Sequence, residues 1–379
     1  MFRVDWFPLV LVSLFHVGAV AGACAVPLTL VGFKSFVIMY VLTGMGITVG
    51  YHRLWSHRSY KGSLPWRIFW GFWGAGALQG SILWWGKLHR LHHSFPDTPA
   101  DPYGPAKGFW YSHCLWMFEK VDRSKYMRII NVEDLKADPI VRLQHRLYKY
   151  GFGLFVAFAM PCLMFPSNIA AALVYGGFWG RVFTWHSTWF VNSLAHWLGD
   201  NVYSDDTTAK DHLLTALVTF GEGNHGFHHA FSFSYQNGLK WYHYDPTRFL
   251  IEVANMLGQA WDLRHPSSNE IEKAKYQVAE NALLGLKQSI IWPDPALNDR
   301  TITRAEYDNA KDRGRIWVTL DAKVFDVTEF LADHPGGSAL LQAMASRPPD
   351  FIASQYAQRH THSRAARNLL DTMLIGTLV

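Results

Sequence analysis

Three cysteines in 379 residues, Cys24, Cys114 and Cys162, form no disulfide framework, and nothing in their use points to an oxidising compartment. Charge is scarce as well. Only 17% of residues are Asp, Glu, Lys or Arg, against 49% hydrophobic and 15% aromatic, a balance too apolar for an ordinary soluble enzyme. No tract of basic residues exists and the net charge is a modest +5, which argues against a nucleic-acid partner and suits a membrane face or an acidic ligand. Seventeen tryptophans fit a protein with membrane interfaces to anchor.

Histidine, by contrast, is concentrated. Two near-copies of H-x-x-H-H occur, His89-Arg90-Leu91-His92-His93 and His225-Gly226-Phe227-His228-His229. On a helix the i, i+3 and i+4 positions share one face, so each box can aim three ring nitrogens at one point. A further box, His52-Arg53-Leu54-Trp55-Ser56-His57, precedes them, and His196 follows Asn192 by one helical turn. His52 and His57 are the weakest pair, because i and i+5 stand roughly 140° apart on a straight α-helix. Nine imidazoles are too many for one ion and suit iron, copper, zinc or nickel, so a two-metal site is expected. The chain lacks the pair of Glu-x-x-His motifs that marks soluble carboxylate di-iron bundles. His16, His145 and His186 read as structural.

The apolar runs predict membrane crossings. Trp6 to Leu30 and Phe36 to Gly50 form a helical hairpin that returns the chain to its starting side at His52; a cleaved signal peptide is the lesser reading of the first run. Trp66 to Trp85 is just long enough to span, but a span there would put the first two boxes on opposite faces. It is therefore expected to be an interfacial or protein-buried helix, with Gln79 and Ser81 facing inward. Residues 151–166 and 169 to about 191 make a second hairpin around Pro166-Ser167-Asn168. Four spans leave both termini and every box on one face.

Residues 266–296 read as a linker between a domain over 1–265 and another over 297–379. In the latter, Trp317 to Leu320, an Asp321-Ala322 turn and Val324 to Asp326 predict a hairpin. His334-Pro335-Gly336-Gly337 and His362-Ser363-Arg364-Ala365-Ala366 follow, with His360 a minor rival to His362.

These motifs carry a resemblance. The three boxes, Trp189-Phe190-Val191-Asn192-Ser193-Leu194-Ala195-His196 and Lys240 to Thr247 resemble the membrane-bound acyl-CoA Δ9 (stearoyl-CoA) desaturases, over about residues 35–265. Gly226 departs from the Asn usual in the third box, which bears on local hydrogen bonding and not on the histidines. The H-P-G-G and H-S-x-x-A motifs resemble the cytochrome b5 domain, in which two neutral imidazoles ligate haem iron.

The resemblance implies a mainly α, four-span membrane protein with a cytosolic histidine-rich di-iron domain and a small α+β cytochrome b5-like domain. It implies that His52, His57, His89, His92, His93, His196, His225, His228 and His229 bind two irons, with Asn192 holding a metal-bound water. His334 and His362 would bind haem b, and Trp189 would contact the substrate at the bend of an acyl tunnel. The implied reaction uses O₂ to place a cis Δ9 double bond in a saturated C16 or C18 acyl-CoA, with electrons from NADH through cytochrome b5 reductase, in the endoplasmic reticulum membrane with termini and active site facing the cytosol. An acyl-lipid desaturase, a membrane fatty-acyl or sterol hydroxylase and a catalytically dead electron carrier are the alternatives. The H-x₄-H first box and the Asn192-to-His196 segment argue against the hydroxylase, and the complete histidine set against the carrier. Arg90, inside a box but not a ligand, is expected to lose less on replacement by alanine than His92 or His228.

Overall fold

The computed structural model describes residues 3–290, 292–345, 347 and 362–379. The chain divides into two compact units, Met1–Ala282 and Leu283–Val379. The first is helical. Helix α1 (Trp6–Ala25) starts at Asp5, whose carboxylate accepts from Phe7 N, and α2 (Leu30–Met45) starts at Thr29, whose hydroxyl accepts from Gly32 N. Helix α2 runs without a break into a π-helix, Gly46–Ser56, that carries the first histidine box. Among the described residues, Trp6–Ala25 and Leu30–Ser56 are the helices long and apolar enough to cross a membrane. Pro139–Tyr148 and Phe152–Met164 add a third crossing only if this pair, bent by 86°, counts as one span.

The expected second hairpin is present in outline. Helical residues 152–164 turn through the short Pro166–Asn168 segment into a continuous helical run that ends with Gly180–Trp197. That run contains Arg181, fully buried, whose guanidinium donates to the backbone carbonyls of Gly76 and Met39. A charged residue there lowers the hydropathy of the run, which is not among the helices apolar enough to cross a membrane.

The Trp66 to Trp85 stretch is two helices, α3 (Leu64–Ala75) and α4 (Ile82–Ser94), opened by Ser63 and Ser81 as N-caps. Each is about 20 Å long at 1.5 Å per residue, short of a bilayer core. The break between them holds Leu78 and Gly80 at positive φ. As expected, Gln79 and Ser81 face inward: Gln79 bonds Thr188 Oγ1 and the Trp85 indole, and Ser81 bonds His145. The π-helix packs on α3 at Gly46, where an added Cβ would stand 2.6 Å from Gly74 Cα, so nothing larger fits. Trp55, Trp70, Ile82, Leu91, Leu135 and Val141 complete this core, which fastens the first two boxes to each other.

Residues Ser268–Ser289 form a 22-residue helix whose Ile271 is buried against Tyr203, Phe227 and Phe231. The stretch read as a linker is thus largely helical, with a buried anchor and a run of helix formers. The second unit has a four-stranded sheet in the order Thr301–Ile302, Leu374–Leu378, Lys323–Asp326, Trp317–Leu320. The expected hairpin is there, and Asp321 and Ala322 both have positive φ, as a two-residue turn matched to strand twist requires.

Candidate metal centre and active site

The nine histidines of the boxes, scattered over 178 positions of sequence, converge into two groups. His52, His57, His89, His93 and His228 form one, and His92, His196, His225 and His229 the other, with one nitrogen from each lying within 4.8 Å of the rest of its group. Facing Nε2 atoms approach closely: 2.7 Å for His57 and His89, 3.1 Å for His52 and His228, 3.0 Å for His228 and His93, and 3.2 Å for His92 and His229. Burial and neighbouring imidazoles hold His57, His89, His93, His225, His228 and His229 well below the usual imidazole range, so these rings are neutral with a lone pair to offer. Two nests of neutral nitrogen donors, each able to surround one ion, fit a pair of transition metals.

The first box owes its geometry to the π-helix. Its i→i−5 bonding, seen in His57 N to His52 O at 3.0 Å, brings residues five apart onto one face. The two rings then stand 4.8 Å apart between centroids. The second and third boxes lie on ordinary α-helix, α4 and His225–Ala230, as their spacing predicts.

Partners on the outward nitrogens fix the rings, and sequence reasoning missed them. His52 Nδ1 stands 3.0 Å from Glu222, His92 Nδ1 2.9 Å from Asp101, and His196 Nδ1 2.8 Å from Thr208, which in turn donates to Asp97. Such partners set tautomer and orientation. Burial would raise the Glu222 carboxyl, but Arg53 and His52 beside it hold it down to about 2. Arg53, 1% exposed, ties Glu222 to Asp245 and the Tyr235 carbonyl. The only local signal was an arginine inside each of the first and second boxes.

Arg90 has partners that its place in the box did not reveal. It donates to the carbonyls of Trp55, Ser56 and Asn131 and to both oxygens of Asp134, so it clamps the end of the first box to α4. Arg90→Ala is therefore expected to cost about 2 kcal/mol, the scale of lost hydrogen bonds to a charged group, and to loosen His57. Denaturation midpoint and metal content measured together check this; a variant matching wild type in both would show the clamp to be idle. At Gly226, a Cβ would meet Asp211 Oδ1 at 3.2 Å and Ala209 O at 3.3 Å, and Asp211 accepts from Phe227 N at 3.0 Å. The backbone of the third box is thus anchored by Asp211.

A cavity of about 50 Å³ opens beside the five-histidine group, with His52, His89, Trp85 and Asn192 in its wall. Trp189 is not in that wall; it packs with Phe15 and Trp185. His16, His186 and His113 form a separate hydrogen-bonded chain ending at Ser193, outside both groups, in keeping with a structural role for His16 and His186. In the second unit His334 is half-buried with Phe330 edge-on to its ring, and its Nδ1 accepts from Gly336 N, leaving Nε2 for a ligand. His362 is half-buried, and Ser363 caps the helix Arg364–Asp371 by accepting from Ala366 N, which accounts for the serine of that motif. His360 lies outside the described residues.

Residues 9–257 match the fatty acid desaturase family, and residues 303–379 match the cytochrome b5-like heme/steroid binding domain. The chain is 37% identical over 379 residues to a probable acyl-CoA desaturase of Schizosaccharomyces pombe, covering 99% of this chain and 78% of that protein. It is likewise 37% identical to acyl-CoA desaturase 1 of Saccharomyces cerevisiae, over 99% and 74%. Stearoyl-CoA desaturase 5 of Homo sapiens is 33% identical, over 74% of this chain and 87% of its own length.

Proposed function

Since the chain belongs to the fatty acid desaturase family and ends in a cytochrome b5-like haem-binding domain, we propose that it introduces a cis Δ9 double bond into saturated C16 or C18 acyl-CoA, with O₂ as co-substrate. The observation that carries this reading is the collapse of nine distant histidines into two nitrogen nests, the five-histidine one beside a cavity that Ile47, Val191 and Phe220 line together with threonines. The five-histidine group would hold one iron and the four-histidine group the other, with Asn192 reaching the metals through water. Two irons so held supply the O₂ chemistry needed to take hydrogen from an unactivated methylene.

The chain's own residues do the rest. Glu222, Asp101 and Thr208 keep His52, His92 and His196 in one tautomer each. Gln79, bridging Thr188 and Trp85, shapes the wall along which the acyl chain lies, and the apolar lining excludes water. Trp189 would be a substrate contact outside that wall, where it packs with Phe15 and Trp185. His334 and His362 would hold haem b, and electrons would arrive from NADH through a cytochrome b5 reductase. Product analysis after expression in a host without its own Δ9 desaturase tests the reading: a Δ9 alkene is expected, and an alcohol, or activity on glycerolipids alone, would refute it.

The same reading puts four crossings in the endoplasmic reticulum membrane with both termini and the site facing the cytosol. It is supported by the N-terminus, whose backbone bonds to residues 118–120 (Asp5 N to Phe118 O, 2.7 Å; Lys120 N to Arg3 O, 2.8 Å). Those bonds place the start of α1 on the face that holds residues 118–120. With Cys24, Cys114 and Cys162 replaced, single cysteines at Lys61 and Lys120 should be labelled by an impermeant reagent from the same side. Labelling from opposite sides would mean that the α3–α4 segment crosses after all.

A further inference from the structure

The helix Pro139–Tyr148 presents three different stripes of side chains. Its inner stripe holds the buried Val141 and Gln144 together with Tyr148. Gln144 Oε1 accepts from Ile82 N at 3.1 Å and the Tyr148 hydroxyl from Gly80 N at 3.0 Å, which fastens the helix to the start of α4. The next stripe, at i, i+4 and i+7, is Arg142, Arg146 and Lys149, all exposed. Beside it runs a third, Leu143, Leu147 and Tyr150, exposed by 56%, 38% and 84%. Among the described residues no carboxylate pairs with the three cations, and Arg142 donates to the backbone carbonyls of Lys136 and Ala137. Cations in a last turn suit the helix dipole, but that calls neither for Arg142 nor for an exposed apolar stripe alongside. A basic stripe next to an apolar one fits the boundary between lipid headgroups and acyl chains.

The direction of the helix fits the same boundary. Phe152–Met164 follows it at an angle of 86°. The bend falls at Gly151, whose φ of +84° a glycine adopts without strain. In the four-crossing reading residues 152–164 enter the bilayer, so a helix at 86° to them lies along its surface. Exposed apolar side chains continue past the bend at Leu154 and Phe155, 50% and 47% exposed. The Leu143, Leu147 and Tyr150 stripe therefore runs on into the lipid-facing side of that limb.

We propose that the helix Pro139–Tyr148 is a docking surface for anionic phospholipid, with acidic headgroups on Arg142, Arg146 and Lys149 and with Leu143, Leu147 and Tyr150 among the acyl chains. The proposal rests on the four-crossing reading and adds to it the class of lipid bound. Anionic lipids are concentrated in the cytosolic leaflet, the side on which that reading puts this helix, and each basic side chain near such a surface is attracted to it. The bound lipid stands directly behind Gly80 and Ile82, at the break that opens the helix of the second histidine box.

Full-length protein in phosphatidylcholine vesicles, probed with spin-labelled phosphatidylserine or spin-labelled phosphatidylcholine, tests this through the fraction of each probe held motionally restricted. Wild type should prefer phosphatidylserine by roughly fivefold at low salt and by less at high salt. Arg146→Gln with Lys149→Gln should bring the preference close to one, whereas Lys275→Gln with Lys287→Gln, on the helix Ser268–Ser289, should leave it unchanged. No preference in wild type, or an undiminished one in the first double variant, would overturn the site. An undiminished preference joined to a raised KM for acyl-CoA would assign the two charges to the phosphates of CoA instead. A nitroxide at Leu163, with the three native cysteines replaced, tests the underlying reading separately. Contact there with a water-soluble relaxation agent would end the four-crossing reading and this proposal together. Protection at Leu163 without any phosphatidylserine preference would end the proposal alone.

Discussion

Replacing His228 with alanine should bring desaturation down by at least on the order of 100-fold, since loss of even an outer partner of a metal ligand costs 10–100-fold. His228 is the hub of the five-histidine group: its Nε2 faces that of His52 at 3.1 Å and that of His93 at 3.0 Å, so it touches both earlier boxes. Removing it opens one nest and leaves the other intact. Wild-type protein should therefore carry two irons per chain and His228→Ala about one, and His92→Ala should lose its iron from the four-histidine group instead. His145→Ala, whose ring bonds Ser81 away from both groups, should keep both irons. Metal analysis on purified protein, run beside product analysis, decides the matter. Full activity with iron retained in either box variant would strike that histidine from the set.

The second large effect is expected at His334. Its alanine variant should lose haem absorbance while keeping both irons, because His334 belongs to neither histidine group. In a host with little free cytochrome b5, desaturation should then fall on the order of 100-fold, the scale on which tethering raises effective concentration, and should recover in part when cytochrome b5 is supplied. The tether is stiffer than its charged composition suggests, since Ser268–Ser289 is helical, about 33 Å long at 1.5 Å per residue. A haem-free variant that keeps full activity with no added carrier would show that the fused domain is not the donor.

The helical boxes were legible because periodicity is local. Residues at i, i+3 and i+4 meet on any α-helix, whatever it packs against, so His89, His92 and His93, and His225, His228 and His229, could be grouped from spacing alone. The two-residue turn at Asp321-Ala322 was legible for the same reason. His52 and His57 were not, because their meeting depends on a π-helix that no short-range propensity marks, held by the close approach of Gly46 to Gly74. Trp66 to Trp85 has the length of a span; the boxes on either side argued against a crossing, but the break into two short helices is seen only in the structure. The roles of Arg90 and Arg53 were not legible within their boxes, since their partners lie 34 to 192 positions away.

The sequence by itself determined the inventory: nine box histidines, the apolar runs that must be buried in lipid or protein, and two haem-type histidine motifs in a separate unit. Those follow from composition and from spacing within one helical turn. The tertiary structure decided how the inventory is used: five histidines to one nest and four to the other, carboxylates behind His52 and His92, and Gln144 and Tyr148 against the break that opens α4. Each of these depends on which helices lie against one another, and such contacts are set by the packing of the whole core, which no local stretch of chain encodes.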